Sequence, residues 1–282
     1  MRVLICPDKF AGTLSAPEAA AAVAEGWHET APADDCVLRP LSDGGPGFVE
    51  VLAGALDGRR LPVTTTDPLG RPAQGEILLA GTTAYVESAQ ACGLHLLTKE
   101  ERNPNTASSY GLGLLLAAAV EAGATEVVVG LGGSAVNDAG AGMLAALGAG
   151  PVDQSGYALP YGGAALGVAA GLAGLPQLRE ARLVAATDVD NPLLGLHGAS
   201  NVYGPRRARA GRTSSGWTPP WNTSPAYSNG RSASTAWPRC PAPVRPAGSA
   251  PPCSPSAAGW CPASAWSPGS SASRSSWTGR TW

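Results

Sequence analysis

The sequence changes character near residue 205, and this break limits what the chain can fold into. Residues 206–282 contain no Leu, Ile, Met or Phe, a single Val (Val244), and seven of the eight tryptophans. A segment so poor in aliphatic side chains cannot bury enough apolar surface to form an ordinary core. The globular part must therefore be built from residues 1–205, and residues 206–282 are not expected to fold natively.

Charge divides at the same place. Residues 1–205 carry all 21 acidic residues and ten of the 19 Lys and Arg, whereas residues 206–282 carry nine Arg and no acid. One interpretation is a basic, disordered arm that binds nucleic acid or a membrane. Another is translation out of frame: shifting the codons of residues 217–230 by one base permits LDAALEHFARVLER, the pattern of an amphipathic helix. We predict an out-of-frame, disordered, low-complexity segment and no nucleic-acid partner.

A glycine-rich stretch at residues 125–142, TEVVVGLGGSAVNDAGAG, dominates the globular part. It predicts a strand, a glycine turn and the start of a helix, whose free amides attract anions. Residues 132–134 (Gly132, Gly133 and Ser134) are therefore candidates to bind a phosphate or carboxylate, with Asn137 and Asp138 beside them. A tight turn that serves only helix packing is the alternative. The loose G-x-G-x-x-G/A pattern also leaves an NAD-dependent oxidoreductase open.

Charged residues follow three other predicted strands. The strands cover residues 2–6, 36–41 and 183–186, and they lead in turn to Asp8 and Lys9, to Asp43, Gly44 and Gly45, and to Asp188 and Asp190. Open α/β sheets bind ligands at the carboxyl ends of their strands, which makes these residues site candidates. The last pair of carboxylates could hold Mg²⁺ or accept a proton. Turn formation and solvated loop charge are the alternatives.

The middle of the chain predicts a small mixed or antiparallel sheet. Strand-like alternation at residues 63–66, 76–79 and 83–86 surrounds a D-P-L-G-R turn. A helix is expected over residues 110–122, and Thr106 before it could cap the helix or contact a substrate.

Cysteine usage and apolar runs restrict the class of protein further. The three cysteines of residues 1–205 lack C-x-x-C spacing, so neither a zinc site nor a disulfide framework is predicted. The N-terminus lacks the pattern of a signal peptide, and no run of 18 apolar residues is present. We expect a cytoplasmic protein without a membrane partner.

Eight motifs in order resemble the bacterial glycerate kinase family (type I). They are PDKFAGTLSA (7–16), PLSDGGPGFVE (40–50), TDPLGRP (66–72), YVESAQACGL (85–94), RNPNTASSYGLG (102–113), GLGGSAVNDAGAG (130–142), ATDVDNPLLG (186–195) and NVYGP (201–205). Ala11, Pro46 and Phe48 depart from the usual family forms, and Pro46 stands where an acid is usual. The resemblance covers residues 1–205 and stops there, in agreement with an out-of-frame continuation.

The resemblance implies ATP-dependent phosphorylation of D-glycerate, giving 2-phosphoglycerate in many members, with Mg²⁺. It also implies a two-domain α/β fold, a Rossmann-like domain plus a smaller α/β domain, with the active site in the cleft. About residues 1–62 would belong to the Rossmann-like domain and about 63–205 mainly to the second. A catalytically inactive truncated remnant of such a kinase is the alternative, and the oligomeric state stays open.

Each motif residue then takes an expected role. Lys9 would neutralise phosphate oxygens or the glycerate carboxylate, while Asp43, Asp188 and Asp190 would hold Mg²⁺ or accept the hydroxyl proton. Asp188 and Asp190 are the candidate metal ligands. The expected substrate- or phosphate-binding residues are Asp8, Gly44, Gly45, Arg71, Asn105, Thr106, Gly132, Gly133, Ser134, Asn137 and Asp138.

Overall fold

The computed structural model describes residues 1–193, 195 and 197–207. Its strands are β1 Arg2–Ile5, β2 Asp35–Leu38, β3 Arg59–Thr66, β4 Pro72–Ala80, β5 Thr83–Glu87, β6 Glu126–Gly130, β7 Pro151–Val152, β8 Gly171–Leu172 and β9 Arg182–Ala186. Its α-helices are α1 Ala16–Thr30, α2 Phe48–Ala55, α3 Ala89–Cys92, α4 Tyr110–Glu121, α5 Ala141–Ala146 and α6 Ala199–Arg207. The segment predicted to be disordered lies, from residue 208 onward, outside the described residues.

A five-stranded mixed sheet forms the larger part of the described chain. Its strand order is β3-β4-β5-β6-β9, antiparallel from β3 to β5 and parallel from β5 to β9. The sheet predicted from the alternation and the D-P-L-G-R turn was small and either mixed or antiparallel. Its three strands, β3 to β5, pair antiparallel, and the parallel strands β6 and β9 make the whole sheet mixed. Helix α4 packs on one face, and the fully buried aliphatic side chains of this core include Ile77, Val86, Leu115, Leu116 and Val127. Burial on both faces explains why β6 is a continuous valine run.

A second, smaller unit joins β1 and β2 in parallel, with α1 packed against them. Ser15 and Glu18 form a capping box at the start of α1, as Ser15 with an acid in the first turn predicts. The apolar face of α1 consists of alanines, which let the helix lie close to the strands. On β1, Leu4 is 65% exposed.

Helix α2 connects the two parts. It follows β2 in the chain, yet its side chains Phe48 and Val49 pack with Leu78 of β4 in a cluster of the larger sheet. The predicted division into a Rossmann-like domain and a second domain near residue 62 stays a prediction. The side chains of α2 that pack into the core of the larger sheet begin at Phe48.

The described helices are short. The longest, α1, has 15 residues, whereas about 20 apolar residues are needed to span a bilayer. Among the described residues, no helix is long and apolar enough to cross a membrane.

Candidate active site

The parallel strands of the larger sheet end along one edge. Glu87 of β5 pairs with Gly130 of β6, and Gly130 pairs with Ala186 of β9. The loop after β2 lies across this edge, because the Gly132 amide donates to the Gly44 carbonyl at 3.0 Å. A Cβ on Gly44 would also collide with the carbonyl of Ala186. Loops from both sheets therefore meet at the carboxyl ends of the strands.

Lys9 and Asp43 form the charged pair of this edge. The Lys9 Nζ donates to Asp43 Oδ1 at 2.6 Å and lies 3.6 Å from Asp8 Oδ1. The same Asp43 oxygen accepts the Gly45 amide at 2.8 Å. The Lys9 side chain is 19% exposed and that of Asp43 is 41% exposed. The structure thus joins two of the predicted catalytic residues, which lie 34 positions apart in the chain.

Their mutual contact decides the charge state of this pair. Burial lowers the pKa of Lys9, but the hydrogen bond and charge of Asp43 outweigh it, so the pKa lies above its ordinary value. Burial raises the pKa of Asp43, but Lys9 and the Gly45 amide outweigh it and the pKa lies below its ordinary value. Lys9 is therefore an ammonium that attracts anions. Asp43 is a weak base, better suited to orienting Lys9 than to accepting a proton.

The Asp43→Asn variant is expected to lose pH-dependent stability. Because the folded pKa of Asp43 is lowered, its contribution is present above the ordinary Asp pKa and is lost as pH falls through the folded value. The pair is partly exposed, so the loss at pH 7 should be only about 0.5–1 kcal/mol. Urea unfolding of both proteins at pH 7 and near pH 2 measures the difference, which should vanish at the acid pH; a constant difference would contradict the assignment.

A cavity lies next to Lys9. It has a volume of about 320 Å³ and is lined by Asp8, Lys9, residues 11–15, the loop after β2 and the start of α2. The Lys9 ammonium is the cationic group of this lining, and Asp8 and Glu50 are its carboxylates. The cavity therefore places the Lys9 ammonium next to two carboxylates, and Lys9 is the group in it that can bind an anion.

The glycines of two loops permit a backbone-to-backbone contact. A Cβ on Gly132 would lie less than 3.0 Å from the Cα of Gly45 and 2.7 Å from its amide nitrogen. The Gly44 amide donates to Ser42 Oγ, and the Gly45 amide to Asp43. Packing thus explains these three glycines. The prediction that they bind phosphate finds no support, because their amides already donate within the protein.

Replacing Gly132 by Ala should destabilise the fold by about 2–4 kcal/mol, since backbone must move on the opposite side of the contact. Thermal or urea unfolding measures the effect. Gly26→Ala is the matched control: Gly26 lies in α1 with nothing within 4 Å of its Cβ position, so the change should stabilise by about 0.5–1 kcal/mol. Equal stabilities for the two variants would show that the loops do not touch.

The glycine stretch does not lead directly into a helix, which corrects the prediction. Helix α5 begins only at Ala141, after a loop with positive φ at Gly133, Ala139 and Gly140. Gly133 is exposed. Within the described part of the chain, the amides of Gly133 and Ser134 donate to no protein acceptor, whereas Ala135 donates to Cys92. Gly133 and Ser134 therefore stay the candidate anion-binding amides.

Asp138 has a structural place. It is 1% exposed, and its Oδ2 accepts the Ser109 amide, the Ser109 hydroxyl and the Gly142 amide at 2.8, 2.9 and 3.1 Å. Its Oδ1 accepts the Gly140 amide. The carboxylate joins the start of α4 to the start of α5. A substrate-orienting role for Asp138 does not fit, because a ligand cannot reach it.

Asn137 faces helix α6. Its Oδ1 accepts the Ser200 hydroxyl at 3.1 Å, and Arg207 donates to the neighbouring Val136 carbonyl at 2.5 Å. The Asn137 Nδ2 is buried and has no acceptor among the described residues. Asn137 stays a candidate, since its amide group offers a donor that the described protein does not use.

Three predicted binding residues lie in other loops. Arg71 is held by Asp67 and Glu101 at 2.5 and 2.6 Å, so its guanidinium ties two loops together. The Asn105 carbonyl accepts the Ala164 amide, and the Thr106 hydroxyl donates to the Asn103 carbonyl. In the described ranges, no hydrogen bond or ion pair links Arg71 or Thr106 to Lys9 or Asp43.

Asp188 and Asp190 follow β9 and are exposed. They lie two and four residues after Ala186, the strand residue that the Gly44 loop contacts. No group of three His, Cys, Asp or Glu side chains that could hold a metal ion occurs in the described part of the chain. Metal binding by these two carboxylates stays a prediction.

Sequence reasoning missed Glu87. This last residue of β5 is 5% exposed, and its Oε2 accepts the amides of Gly47 and Val49 at 3.0 and 3.5 Å. The available signal was a carboxylate at the end of an otherwise apolar strand. Its partners lie 40 and 38 residues away in the chain, so no local pattern could identify them.

This arrangement defines the class of protein. It is an α/β protein whose candidate ligand site, with the Lys9 ammonium and the adjoining cavity, lies at the carboxyl ends of parallel strands. Residues 3–212 match the model described as the glycerate kinase family. The chain belongs to the glycerate kinase family.

Similar proteins from bacteria support this membership. The glycerate kinase of Bacillus subtilis (strain 168) is 43% identical over 212 residues, 73% of this chain and 56% of the relative. The glycerate 2-kinase of Escherichia coli (strain K12) is 40% identical with the same coverage. The crystal structure of a provisionally assigned glycerate kinase 2 from Salmonella typhimurium LT2 is 37% identical, with a TM-score of 0.65 over 79% of this chain and 59% of that one.

The matches cover only part of the relatives and only part of this chain. The chain spans about half the length of the curated relatives it matches. The family match also runs to residue 212, and α6 continues to Arg207. The predicted resemblance over residues 1–205 is thus confirmed, and the family match extends seven residues beyond it.

Proposed function

We propose that the chain phosphorylates D-glycerate with ATP, giving 2-phosphoglycerate. The observation that carries the proposal is the Lys9 ammonium, held by Asp43 beside a cavity of about 320 Å³ at the strand ends. Family membership supports the reaction class, and the names of the relatives support the substrate. The partners are thus a small organic acid and a nucleotide, and the cytoplasm, where ATP is available, is the proposed location.

Phosphoryl transfer depends mainly on positioning and charge stabilisation. Lys9 is proposed to bind the oxygens of the transferring phosphoryl group or the glycerate carboxylate. The amides of Gly133 and Ser134 would bind the second anion, since neither donates to an acceptor in the described part of the protein and Gly133 is exposed. Asp43 keeps Lys9 in place and charged.

Magnesium is the metal proposed for this site. Mg²⁺ is held in proteins by one or two carboxylates together with substrate phosphates and water, and the exposed carboxylates of Asp188 and Asp190 beside the strand edge fit that donor set. When bound, the ion would neutralise phosphate charge. Asp188 and Asp190 are also candidates to accept the proton of the glycerate hydroxyl.

A coupled assay of the purified 282-residue chain with ATP, Mg²⁺ and D-glycerate tests the proposal. Formation of ADP only when D-glycerate is present, with 2-phosphoglycerate as the product, is expected. A chain that unfolds cooperatively but shows no turnover would contradict the proposed function. Release of 3-phosphoglycerate would contradict only the choice of hydroxyl.

A further inference from the structure

Glu87 is a buried carboxylate without a cation. In the described part of the chain no Lys, Arg or His pairs with it, and its protein contacts are backbone amides at the start of α2. Burial raises its pKa, and the amides of residues 47–49 offset part of that effect. Burying an ionised carboxylate costs folding free energy unless hydrogen bonds compensate for the lost water. The amides that bind Glu87 therefore indicate what the side chain does.

The start of α2 depends on this side chain. The N-cap residue, Gly47, has φ of +93° and offers no side-chain cap. The first amides of a helix need outside acceptors, and Glu87 supplies one from the neighbouring sheet. For α1, Ser15 and Glu18 supply the same acceptors locally.

The loop that carries Asp43 has three anchors. Asp43 binds Lys9 at one end of the loop, and the Gly44 carbonyl accepts the Gly132 amide in the middle. The Gly47 amide binds Glu87 at the other end. Because only three residues separate Asp43 from Gly47, we expect movement at the Glu87 end to shift the Asp43 carboxylate.

We propose that Glu87 is a positioning residue of the active site, which holds the start of α2 and thereby holds Asp43 against Lys9. The link to catalysis rests on the proposed function, in which Lys9 binds an anion of the reaction. The positioning itself is independent of turnover, so it can be tested on the protein without an activity assay.

The chain has two lysines, Lys9 and Lys99, which makes an internal comparison possible. We would acetylate the full chain and its Glu87→Gln variant with an N-hydroxysuccinimide ester at pH 7.5 and measure the Lys9 to Lys99 rate ratio by mass spectrometry. Loss of the Asp43 contact exposes the Lys9 amine and eases its deprotonation, so the ratio should rise about tenfold. Amide hydrogen exchange across residues 44–49 should also become faster.

Glu18→Gln is the matched control. It makes the same chemical change in an exposed carboxylate that caps α1, so exchange should change only at α1 and the lysine ratio should stay constant. If Glu87→Gln does not fold, Glu87→Asp shortens the side chain by one methylene and serves the same comparison.

An unchanged Lys9 to Lys99 ratio in a folded variant whose α2 amides exchange faster would overturn the proposal. If the parent chain is active, Glu87→Gln should lower kcat. The assay is run at 15 °C on protein whose circular dichroism shows that the variant is folded, so that a loss of stability does not explain the lower kcat. An inactive parent protein that still shows the ratio change would contradict the proposed function and leave the positioning role supported.

Discussion

For the proposed phosphorylation of glycerate, replacing Lys9 by Met is expected to lower kcat/KM by about 10²–10³-fold, the usual cost of removing one charge-stabilising donor from a transition state. Lys9 is held by Asp43 at 2.6 Å, is four-fifths buried and lines the cavity at the strand ends. Met keeps the length and apolar stem of the side chain but carries no charge. Steady-state kinetics in both substrates measures the loss.

Lys99→Met is the matched control for this result. Lys99 is exposed and lies in the turn after Thr98, so the change should leave kcat/KM within about twofold, as for surface substitutions elsewhere. Lys9→Arg should recover part of the activity, because it restores the charge with a different geometry. A Lys9→Met protein that folds and works at the rate of the parent would remove Lys9 from the mechanism.

The carboxyl ends of the strands could be predicted from sequence, because each is a short apolar run followed by polar residues. That placed Lys9 and Asp43 at one edge of the fold. The hydrogen bond between them could not be predicted, since it joins loops of two strands 34 residues apart. The mixed sheet was predicted for the same local reason: alternation and turn chemistry appear within a few residues.

The anion-binding interpretation of helix starts was only partly correct, and the reason is physical. A helix N-terminus binds whichever acceptor is nearest, including the protein's own carboxylates. Glu18 at α1 is local and was visible in the sequence. Glu87 lies 40 residues from its partner Gly47 at the start of α2. Asp138 binds the Gly142 amide of α5 across the loop that precedes this helix. Candidate ligand amides are therefore those of the loop itself, at Gly133 and Ser134.

Replacing Asp138 by Asn is expected to cost about 3 kcal/mol of unfolding free energy, the second large effect. Four donors from Ser109, Gly140 and Gly142 converge on this buried carboxylate. An amide has one acceptor oxygen, and its NH₂ group would face donors on the other side, which leaves buried groups unpaired. Urea unfolding measures the loss, with far-UV circular dichroism as the signal because it reports on the backbone rather than on the tryptophans.

Asp153→Asn separates this structural role from the general effect of the substitution. Asp153 Oδ1 accepts the amides of Ser155 and Tyr157 at 2.8 and 3.0 Å in a surface turn, where water can replace a lost acceptor. Its change should cost less than about 1 kcal/mol. If Asp138→Asn were instead as stable as the parent but failed to bind substrate, Asp138 would belong to the ligand site, and helices α4 and α5 would need another anchor.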